Sequence, residues 1–199
     1  MRPLGRPRSG LAVGLFGGSF NPAHAGHLHV AEAGLRELAL DQVWWLVSPQ
    51  NPLKPAQPDA RQRADTIRAL DLPYAMKISH IETRLETRYT VELLRILRHR
   101  NADTRFVYMI GADNLAQMPE WKDWKALFEL VPVAVVARPG QAVRARLGRV
   151  ARRVAQSRVS EAQAHTLKDR DPPAWTYLTL PLNPLSSSRI RMRQSAEPS

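Results

Sequence analysis

The sequence has 199 residues, the length of one ordinary domain, and 44% of them are hydrophobic, which is enough for a buried core. It contains no cysteine, so disulfide frameworks, thiolate zinc sites and cysteine nucleophiles are excluded. Lys and Arg number 29 against 18 Asp and Glu, which gives a formal net charge of +11. Such an excess favours polyanionic partners: nucleic acid, acidic lipid or phosphorylated metabolites.

The sequence contains neither a membrane-span pattern nor a secretory-leader pattern. No apolar run approaches the ~20 residues that cross a bilayer, and the basic stretch 1–10 leads into no apolar signal segment. The lack of cysteine is compatible with a reducing cytoplasm, where we expect the chain to act without a membrane partner. We expect one domain at 12–193, between a flexible basic N-terminus, 1–11, and a flexible tail, 194–199.

The apolar residues of the first half alternate between short continuous runs, typical of buried strands, and helical spacing. The first run ends in Gly17-Gly18, and Leu28 opens the first stripe of helical spacing. In chain order, this half predicts a strand at 11–16, a helix at 28–38, a strand at 43–47, a loop at 48–58, a helix at 59–70 and a strand at 76–81.

The second half continues the alternation. It predicts a helix beginning at 90, a strand at 105–110, a helix at 121–130, a strand at 131–137, a helical stripe at 143–154, a strand at 175–180 and a short helix at 186–193. Regular alternation indicates βαβ units, and therefore an α/β fold with a mostly parallel sheet and helices on both faces. Ligands of such sheets bind at the carboxyl ends of the strands.

The strongest chemical signal is the stretch from Gly17 to His27, which follows the first strand and opens the first helix. Glycines allow close approach of the backbone to a phosphate, and a helix N-terminus favours negative charge. His24 and His27 are three residues apart, with Gly26 leaving space between them, so both imidazoles can donate hydrogen bonds to one phosphoryl group. A surface histidine pair and a metal site are the alternatives, but no cysteine or carboxylate cluster supplies further metal ligands.

A second candidate anion site lies near the end of the chain, at 186–191. Serine is a good helix N-cap, and successive hydroxyls and backbone amides can surround an anion. Arg191 would add a two-pronged phosphate donor. An ordinary capped helix in a basic tail is the alternative.

Two further candidates follow the predicted strand at 105–110. Gly111 and Asp113 come directly after it, where a carboxylate can accept hydrogen bonds from both ribose hydroxyls. A helix-capping role for Asp113 is equally compatible with the sequence. The flat indole of Trp121 is suited to stacking on a pyridine ring, although most tryptophans are simply packed.

The stretch Gly17–His27 resembles the signature of the HxGH nucleotidyltransferases, in particular the G-G-[ST]-F-[DN]-P-x-H-x-G-H of the nicotinate-nucleotide adenylyltransferase family. Residues 185–191 are similar to the I-S-S-T-x-I-R motif of the same family, and the likeness extends from Gly14 to Arg191. The resemblance implies a single Rossmann-like (HUP-type) nucleotidyltransferase domain. It also implies transfer of AMP from ATP to nicotinate mononucleotide, with release of pyrophosphate.

The same resemblance implies roles for individual residues. Catalysis falls to His24, His27 and Arg191. ATP is bound by Gly17, Gly18, Ser19, Phe20, His24, Gly26, His27, Gly111, Asp113, Ser187, Ser188 and Arg191. Nicotinate mononucleotide is bound by Lys54, Thr90, Trp121 and Arg138. The cofactor is Mg²⁺, held mainly by the ATP phosphates and not by dedicated protein ligands.

Alternatives from three classes remain open at this point. A sibling transferase would use nicotinamide mononucleotide or phosphopantetheine, although phosphopantetheine enzymes generally carry T-x-G-H, and His24 counts against that. A basic nucleic-acid-binding domain is the second, but the sequence has no interleaved aromatic and basic motif of the usual kinds, and we expect no nucleic-acid partner. We interpret the basic run Arg138–Arg158 as a solvated surface. A nucleotide sensor with a dead site is the third. The sequence leaves assembly into a homo-oligomer open.

Overall fold

One six-stranded sheet, in which every neighbouring pair of strands is parallel, forms the centre of the molecule. The structure, a computed structural model, describes residues 10–49, 57–87, 89–137 and 148–179. The strands are β1 (Ala12–Gly18), β2 (Gln42–Val47), β3 (Met76–Ser79), β4 (Arg105–Gly111), β5 (Val133–Val136) and β6 (Trp175–Leu178).

Helices within the described residues connect these strands. They are α1 (Ala25–Glu37), α2 (Ala60–Arg68), α3 (Ile81–Arg84), α4 (Thr90–Arg100), α5 (Ala112–Gln117), α6 (Trp124–Leu130) and α7 (Arg149–Arg153). Three 3₁₀ segments add to them, at Met118–Glu120, Ala155–Ser157 and Glu161–Asp169. Among the described residues, no helix has the length and apolar character needed to cross a bilayer.

The strand order β3-β2-β1-β4-β5-β6 places the switch point between β1 and β4, the two central strands. The chain runs outward in one direction from β1 and in the other direction from β4. Loops after these strands therefore diverge and leave a crevice at the carboxyl edge, where ligands of doubly wound sheets bind. The Gly17–His27 stretch and Asp113 both begin at this edge.

Both faces of the sheet are buried, which is why the strands consist of almost continuous apolar runs. Phe16 belongs to the core on one face, together with apolar residues of α1 and α2. Leu15 belongs to the core on the other face, with residues of α4, α5, α6 and α7. The predicted α/β architecture, with helices on both faces, is confirmed.

The differences from the predicted elements are local. The short helices α3 and α5 and the 3₁₀ segment Glu161–Asp169 were not predicted, because α3 and α5 are too short to show a helical period. Helix α6 begins at Trp124 instead of 121, because Asp123 before it has a left-handed φ of 50° that interrupts the helix. Strand β5 begins only after Pro132, which has no N–H to donate. The predicted helix at 186–193 and the flexible tail lie outside the described residues, as do 1–9 of the predicted N-terminal segment.

Candidate active site

Strand β1 ends in two glycines, directly before the loop to α1, and neighbouring side chains leave no room for a Cβ at either position. A Cβ on Gly17 would lie 2.5 Å from the hydroxyl oxygen of Tyr108. A Cβ on Gly18 would lie 2.8 Å from the ring of Phe20. The sequence suggested close approach of a phosphate as the reason for these glycines. The structure shows a second one, because side chains from β4 and from the loop itself occupy the space that a Cβ would take.

Phe20 anchors this loop. Its φ of 47° is unusual for a residue with a side chain and costs on the order of 1 kcal/mol. The ring is buried, with centroids 5.3 Å from Phe16, 5.0 Å from Trp45 and 5.3 Å from His27. Burial of an aromatic side chain more than offsets the backbone strain. Because the ring lies in the core, only the backbone of Phe20 remains available for the ATP contact that the sequence predicted.

The structure brings the two signature histidines together at the N-terminus of α1. Their ring centroids are 4.0 Å apart, and both side chains are buried. His24 is the N-cap, and its Nδ1 accepts the N–H of Gly26 at 3.1 Å. The Nδ1 of His27 accepts the N–H of His24 at 3.3 Å. Since Nδ1 is the acceptor in both rings, an imidazole that is neutral carries its proton on Nε2 and can donate from there.

Asp113 lies in the first turn of α5, at the carboxyl end of β4. The sequence left two interpretations open for it, ribose binding and helix capping. The N-cap of α5 is Gly111, and no side chain caps the helix, so the capping interpretation is wrong. Among the described residues, Oδ1 of Asp113 is buried without a hydrogen-bond partner. A buried acceptor without a hydrogen bond lowers the stability of the fold, and a hydroxyl of a bound ligand could donate to it.

Thr90 is connected to the signature loop through Tyr108. It is the first residue of α4, and its side chain lies close enough to the Tyr108 hydroxyl to lower the pKa of that group; Tyr108 is the same residue that packs on Gly17. Complete burial raises the pKa of the Tyr108 hydroxyl above its ordinary value, so it stays protonated. The N-cap residue Tyr89 makes no side-chain cap, so the helix N-terminus beside Thr90 is suited to an anion.

Trp121 lies close in the fold to the beginning of α4. It is partly buried against the core on that side of the sheet, and its backbone N–H donates to the carbonyl of Met118 at 2.9 Å. The next residue, Lys122, pairs with Glu92 of α4 at 3.0 Å, and its ammonium lies 4.3 Å from the ring centroid of Tyr89. These contacts bring the segments of two predicted substrate residues, Thr90 and Trp121, to one side of the crevice.

Five predicted site residues lie outside the described residues, and their roles stay predictions: Lys54, Arg138, Ser187, Ser188 and Arg191. The described part of the basic run Arg138–Arg158 includes α7, in which Val150 and Ala151 are buried and the arginines are exposed. Arg149, Arg152 and Arg153 border a groove of about 450 Å³ with Trp124 and Lys125. An amphipathic helix with its basic face in solvent fits the predicted solvated surface.

Two ionisable residues near this edge were not predicted: Arg63, which is buried, and Glu82, which is partly buried. Arg63 lies on the inner face of α2 beside Ala64 and Ile67, and this place in the apolar stripe was the only sequence signal. Burial lowers its pKa, an effect opposed by Asp59 and Glu82. Burial raises the pKa of the Glu82 carboxyl to about 7, and the charge of Arg63 opposes that shift.

The described residues contain no group of three or more His, Cys, Asp or Glu that could hold a metal ion. A divalent ion at the carboxyl edge would therefore need most of its oxygen ligands from a bound nucleotide, which suits the coordination habits of Mg²⁺. Asp113, whose Oδ1 is buried at the carboxyl end of β4, is an acidic group that this crevice offers.

A parallel sheet of order 3-2-1-4-5-6, with a glycine-histidine loop at its switch point, defines a nucleotide-binding domain. A family model described as cytidylyltransferase-like matches residues 15–193, so the chain is a nucleotidyltransferase of that family. The fold is also that of a solved Plasmodium falciparum nicotinic acid mononucleotide adenylyltransferase complexed with NaAD. That structure gives a TM-score of 0.70 at 14% identity and covers 92% of this chain and 83% of the other.

The curated relatives define the family more narrowly. A probable nicotinate-nucleotide adenylyltransferase of Caulobacter sp. (strain K31) is 48% identical over 188 residues, covering 93% of this chain and 99% of the relative. One from Ruegeria sp. (strain TM1040) is 46% identical over 187 residues, covering 92% and 97%. The chain belongs to the nicotinate-nucleotide adenylyltransferases, which confirms the family predicted from the signature motifs.

Proposed function

We propose that this chain transfers AMP from ATP to nicotinate mononucleotide and releases pyrophosphate, forming nicotinate adenine dinucleotide. One observation carries the proposal most directly. The two signature imidazoles lie 4.0 Å apart at the N-terminus of α1, beside the switch point of the sheet, and each accepts a backbone N–H at Nδ1. The near full-length similarity to nicotinate-nucleotide adenylyltransferases supports nicotinate mononucleotide as the acceptor of AMP.

The nucleophile is the 5′-phosphate of the mononucleotide, which is already ionised at neutral pH. Its oxygen forms a bond to the α-phosphorus of ATP while the bond from that phosphorus to the β-phosphate oxygen breaks, and pyrophosphate leaves with the electron pair. No protein base or covalent intermediate is needed. Catalysis then consists of positioning the two phosphates and stabilising the charge that develops on the phosphoryl oxygens.

The described residues supply donors for that charge. His24 and His27 donate from Nε2, and the N-terminus of the 13-residue helix α1 adds its dipole at the same place. Because the rings are held by backbone hydrogen bonds, their donors need little reorganisation in the transition state. We place the phosphoryl oxygens of ATP against these two imidazoles and the backbone of the loop Gly17–Phe20.

The remaining groups are assigned by their place in the fold or by family resemblance. Asp113 accepts the ribose hydroxyls of ATP, which would satisfy its buried oxygen. The N-terminus of α4 at Thr90 holds the pyridine carboxylate, and Trp121 stacks on the pyridine ring. By resemblance alone, the β- and γ-phosphates of ATP are held by Ser187, Ser188 and Arg191. Lys54 reaches the phosphate of the mononucleotide, and Arg138 belongs to the mononucleotide site.

Nucleotidyltransferases of this kind generally use a divalent metal with ATP. We propose Mg²⁺, held mainly by triphosphate oxygens, since the described residues contain no acidic cluster for it. When bound, the ion neutralises charge on the leaving pyrophosphate. The histidines and the α1 N-terminus would themselves act on the phosphoryl oxygens of ATP.

Pyrophosphate release tests the proposal. The purified chain is given ATP and Mg²⁺ with nicotinate mononucleotide, nicotinamide mononucleotide or phosphopantetheine in separate reactions. We expect the highest kcat/KM with nicotinate mononucleotide, together with equimolar dinucleotide product. Preferential turnover of another acceptor would refute the substrate assignment. No pyrophosphate with any of the three would refute the transfer reaction itself.

A further inference from the structure

Arg63 is buried to 1% exposure, and its guanidinium donates only to backbone carbonyls among the contacts described. Nε donates to the carbonyl of Pro58 at 2.8 Å, and Nη1 donates to that of Ser19 at 2.6 Å. Nη2 donates to the carbonyls of Ser48 at 2.5 Å and Pro49 at 2.7 Å. Four hydrogen bonds from one rigid, planar group fix four backbone positions relative to one another.

These carbonyls come from three separate places at the carboxyl edge of the sheet. Ser19 belongs to the signature loop after β1, Ser48 and Pro49 follow β2, and Pro58 lies two residues before α2. One side chain therefore joins the ends of two adjacent parallel strands to the helix that follows. The fork of donors in arginine suits this task, whereas a lysine ammonium would offer three donors from a single point.

The bond to Ser19 also sets the direction of the next amide. The cis peptides of the described residues are at Asn21-Pro22 and Pro172-Pro173, so the bond from Ser19 to Phe20 is trans. In a trans peptide the N–H points opposite to the C=O. Holding the Ser19 carbonyl on Arg63 therefore turns the N–H of Phe20 away from α2. The same contact supports the left-handed φ of 47° at Phe20.

Helix α2 holds the other end of the loop as well. The hydroxyl of Thr66 accepts the N–H of Ala23 at 2.9 Å and donates to the carbonyl of Arg63 at 2.7 Å. Ala23 directly precedes the N-cap histidine, His24. Two side chains of α2 thus hold the loop by hydrogen bonds, Arg63 at Ser19 and Thr66 at Ala23. The loop residues between these two points lead to the histidines.

Asp59 and Glu82 favour the charged form of Arg63, but the cost of burying its charge is the larger effect. None of the ion pairs described includes it, and burying a charge without a close counter-ion opposes folding. Carbonyl dipoles offset part of that cost. A positive charge behind a loop that binds a triphosphate would, in contrast, stabilise the bound anion, and more so at low local dielectric.

We propose that Arg63 is a positioning residue for the adenylyl transfer. By holding the Ser19 carbonyl, it keeps the backbone amides of the signature loop aimed at the triphosphate, and its charge adds to the attraction. The inference rests on the proposed function, because it assigns Arg63 to the ATP half of that site. It predicts a defect in the use of ATP, with little change in the use of the mononucleotide.

The test compares Arg63→Lys with Arg61→Gln, an exposed arginine of the same helix, as the matched control. KM is measured separately for ATP and for the mononucleotide, with kcat from pyrophosphate release and Tm as a check of folding. We expect kcat/KM for ATP to fall on the order of 10²-fold in Arg63→Lys, as for other small misplacements of substrate-positioning groups, while KM for the mononucleotide stays near wild type. Arg61→Gln should match wild type.

Folded Arg63→Lys with normal kinetics would overturn the proposal, and so would an equal rise in both KM values. If Arg63→Lys does not fold, Thr66→Val replaces it, with the same expectation of a selective ATP defect. Arg63→Ala with added guanidinium gives a second readout, in which selective recovery of kcat/KM for ATP is expected and no recovery counts against the role.

ATP affinity measured by calorimetry separates this proposal from the function on which it rests. Weaker ATP binding by Arg63→Lys supports the positioning role even if wild type prefers another acceptor. Unchanged ATP binding by that variant contradicts the role even if nicotinate mononucleotide proves to be the substrate.

Discussion

The imidazoles of His24 and His27 lie 4.0 Å apart, and both are oriented by backbone amides of the turn that they cap. His24 accepts an N–H from the first turn of α1, and His27 accepts the N–H of His24 in return. A backbone N–H thus occupies Nδ1 of each ring, so the proton of each neutral ring lies on Nε2. Two prealigned donors at a helix N-terminus form a preorganised site for developing phosphoryl charge.

The first prediction concerns His27. Replacement of His27 by alanine removes one Nε2 donor and the acceptor for the His24 N–H, so we expect kcat to fall on the order of 10²–10³-fold, as for the loss of one oxyanion donor. Steady-state pyrophosphate release checks the size of the effect. His99→Ala, on the exposed face of α4, serves as a control that should leave kcat unchanged. Normal turnover by a folded His27→Ala would show that the ring is not a catalytic donor.

The second prediction concerns the contact between Gly17 and Tyr108. A Cβ at position 17 would lie 2.5 Å from the Tyr108 hydroxyl oxygen, so Gly17→Ala should destabilise the fold by about 1–3 kcal/mol through overpacking. Adding Tyr108→Phe removes that oxygen and should recover part of the loss. A double-mutant cycle of urea unfolding measures the coupling. Strictly additive effects would mean that the clash is relieved elsewhere.

The third prediction separates binding from stability at Asp113. Its Oδ1 is buried without a hydrogen-bond partner among the described residues, so Asp113→Asn should leave the free energy of unfolding unchanged or raise it. The KM for ATP should rise about 10–100-fold, the cost of losing a hydrogen bond to a charged acceptor. Exposed Asp103→Asn is the matched control. A large loss of stability without a change in KM would assign Asp113 a structural role instead.

The fourth prediction is a pH dependence of stability. Burial raises the pKa of the Glu82 carboxyl to about 7, above its ordinary value of 4.5, so between these values the folded state binds more protons than the unfolded state. The contribution of this group to stability therefore falls as pH rises from about 4.5 to 7, and stays low above that. Glu82→Gln removes the penalty, so its Tm advantage over wild type should grow from pH 5 to pH 8.

The control for this pH experiment is Glu86→Gln, which changes an exposed carboxyl two residues beyond α3. It should show a constant Tm difference from wild type across the same range. A difference for Glu82→Gln that does not vary with pH would contradict the raised pKa.

The sequence predicted what depends on local pattern. The strands and most helices follow from apolar periodicity, and the signature histidines were identified because they follow a strand and a Gly-Gly turn. Their hydrogen bonding at the head of α1 also follows from local spacing, since a cap and a residue three positions on face each other. These features involve neighbours in the chain, and their determinants can be read without knowing the fold.

Features that depend on distant contacts were not predictable. The clash that Gly17 avoids is with Tyr108 of another strand, and the carbonyls bound by Arg63 belong to segments up to 44 residues away. The helix-capping interpretation of Asp113 could be rejected only from the cap geometry of α5, where Gly111 is the N-cap. Arg63 looked like one more member of a basic composition, because its place in the apolar stripe of α2 was the only signal and that signal does not reveal its carbonyl partners.

A crystal structure of the chain with Mg²⁺ and a non-hydrolysable ATP analogue would test the central claim most directly. We predict the triphosphate at the N-terminus of α1, with Nε2 of His24 and His27 within hydrogen-bond distance of its oxygens and Arg191 on the same phosphates. A triphosphate bound elsewhere, or an Arg191 guanidinium far from both imidazoles with no shared cavity, would contradict the account.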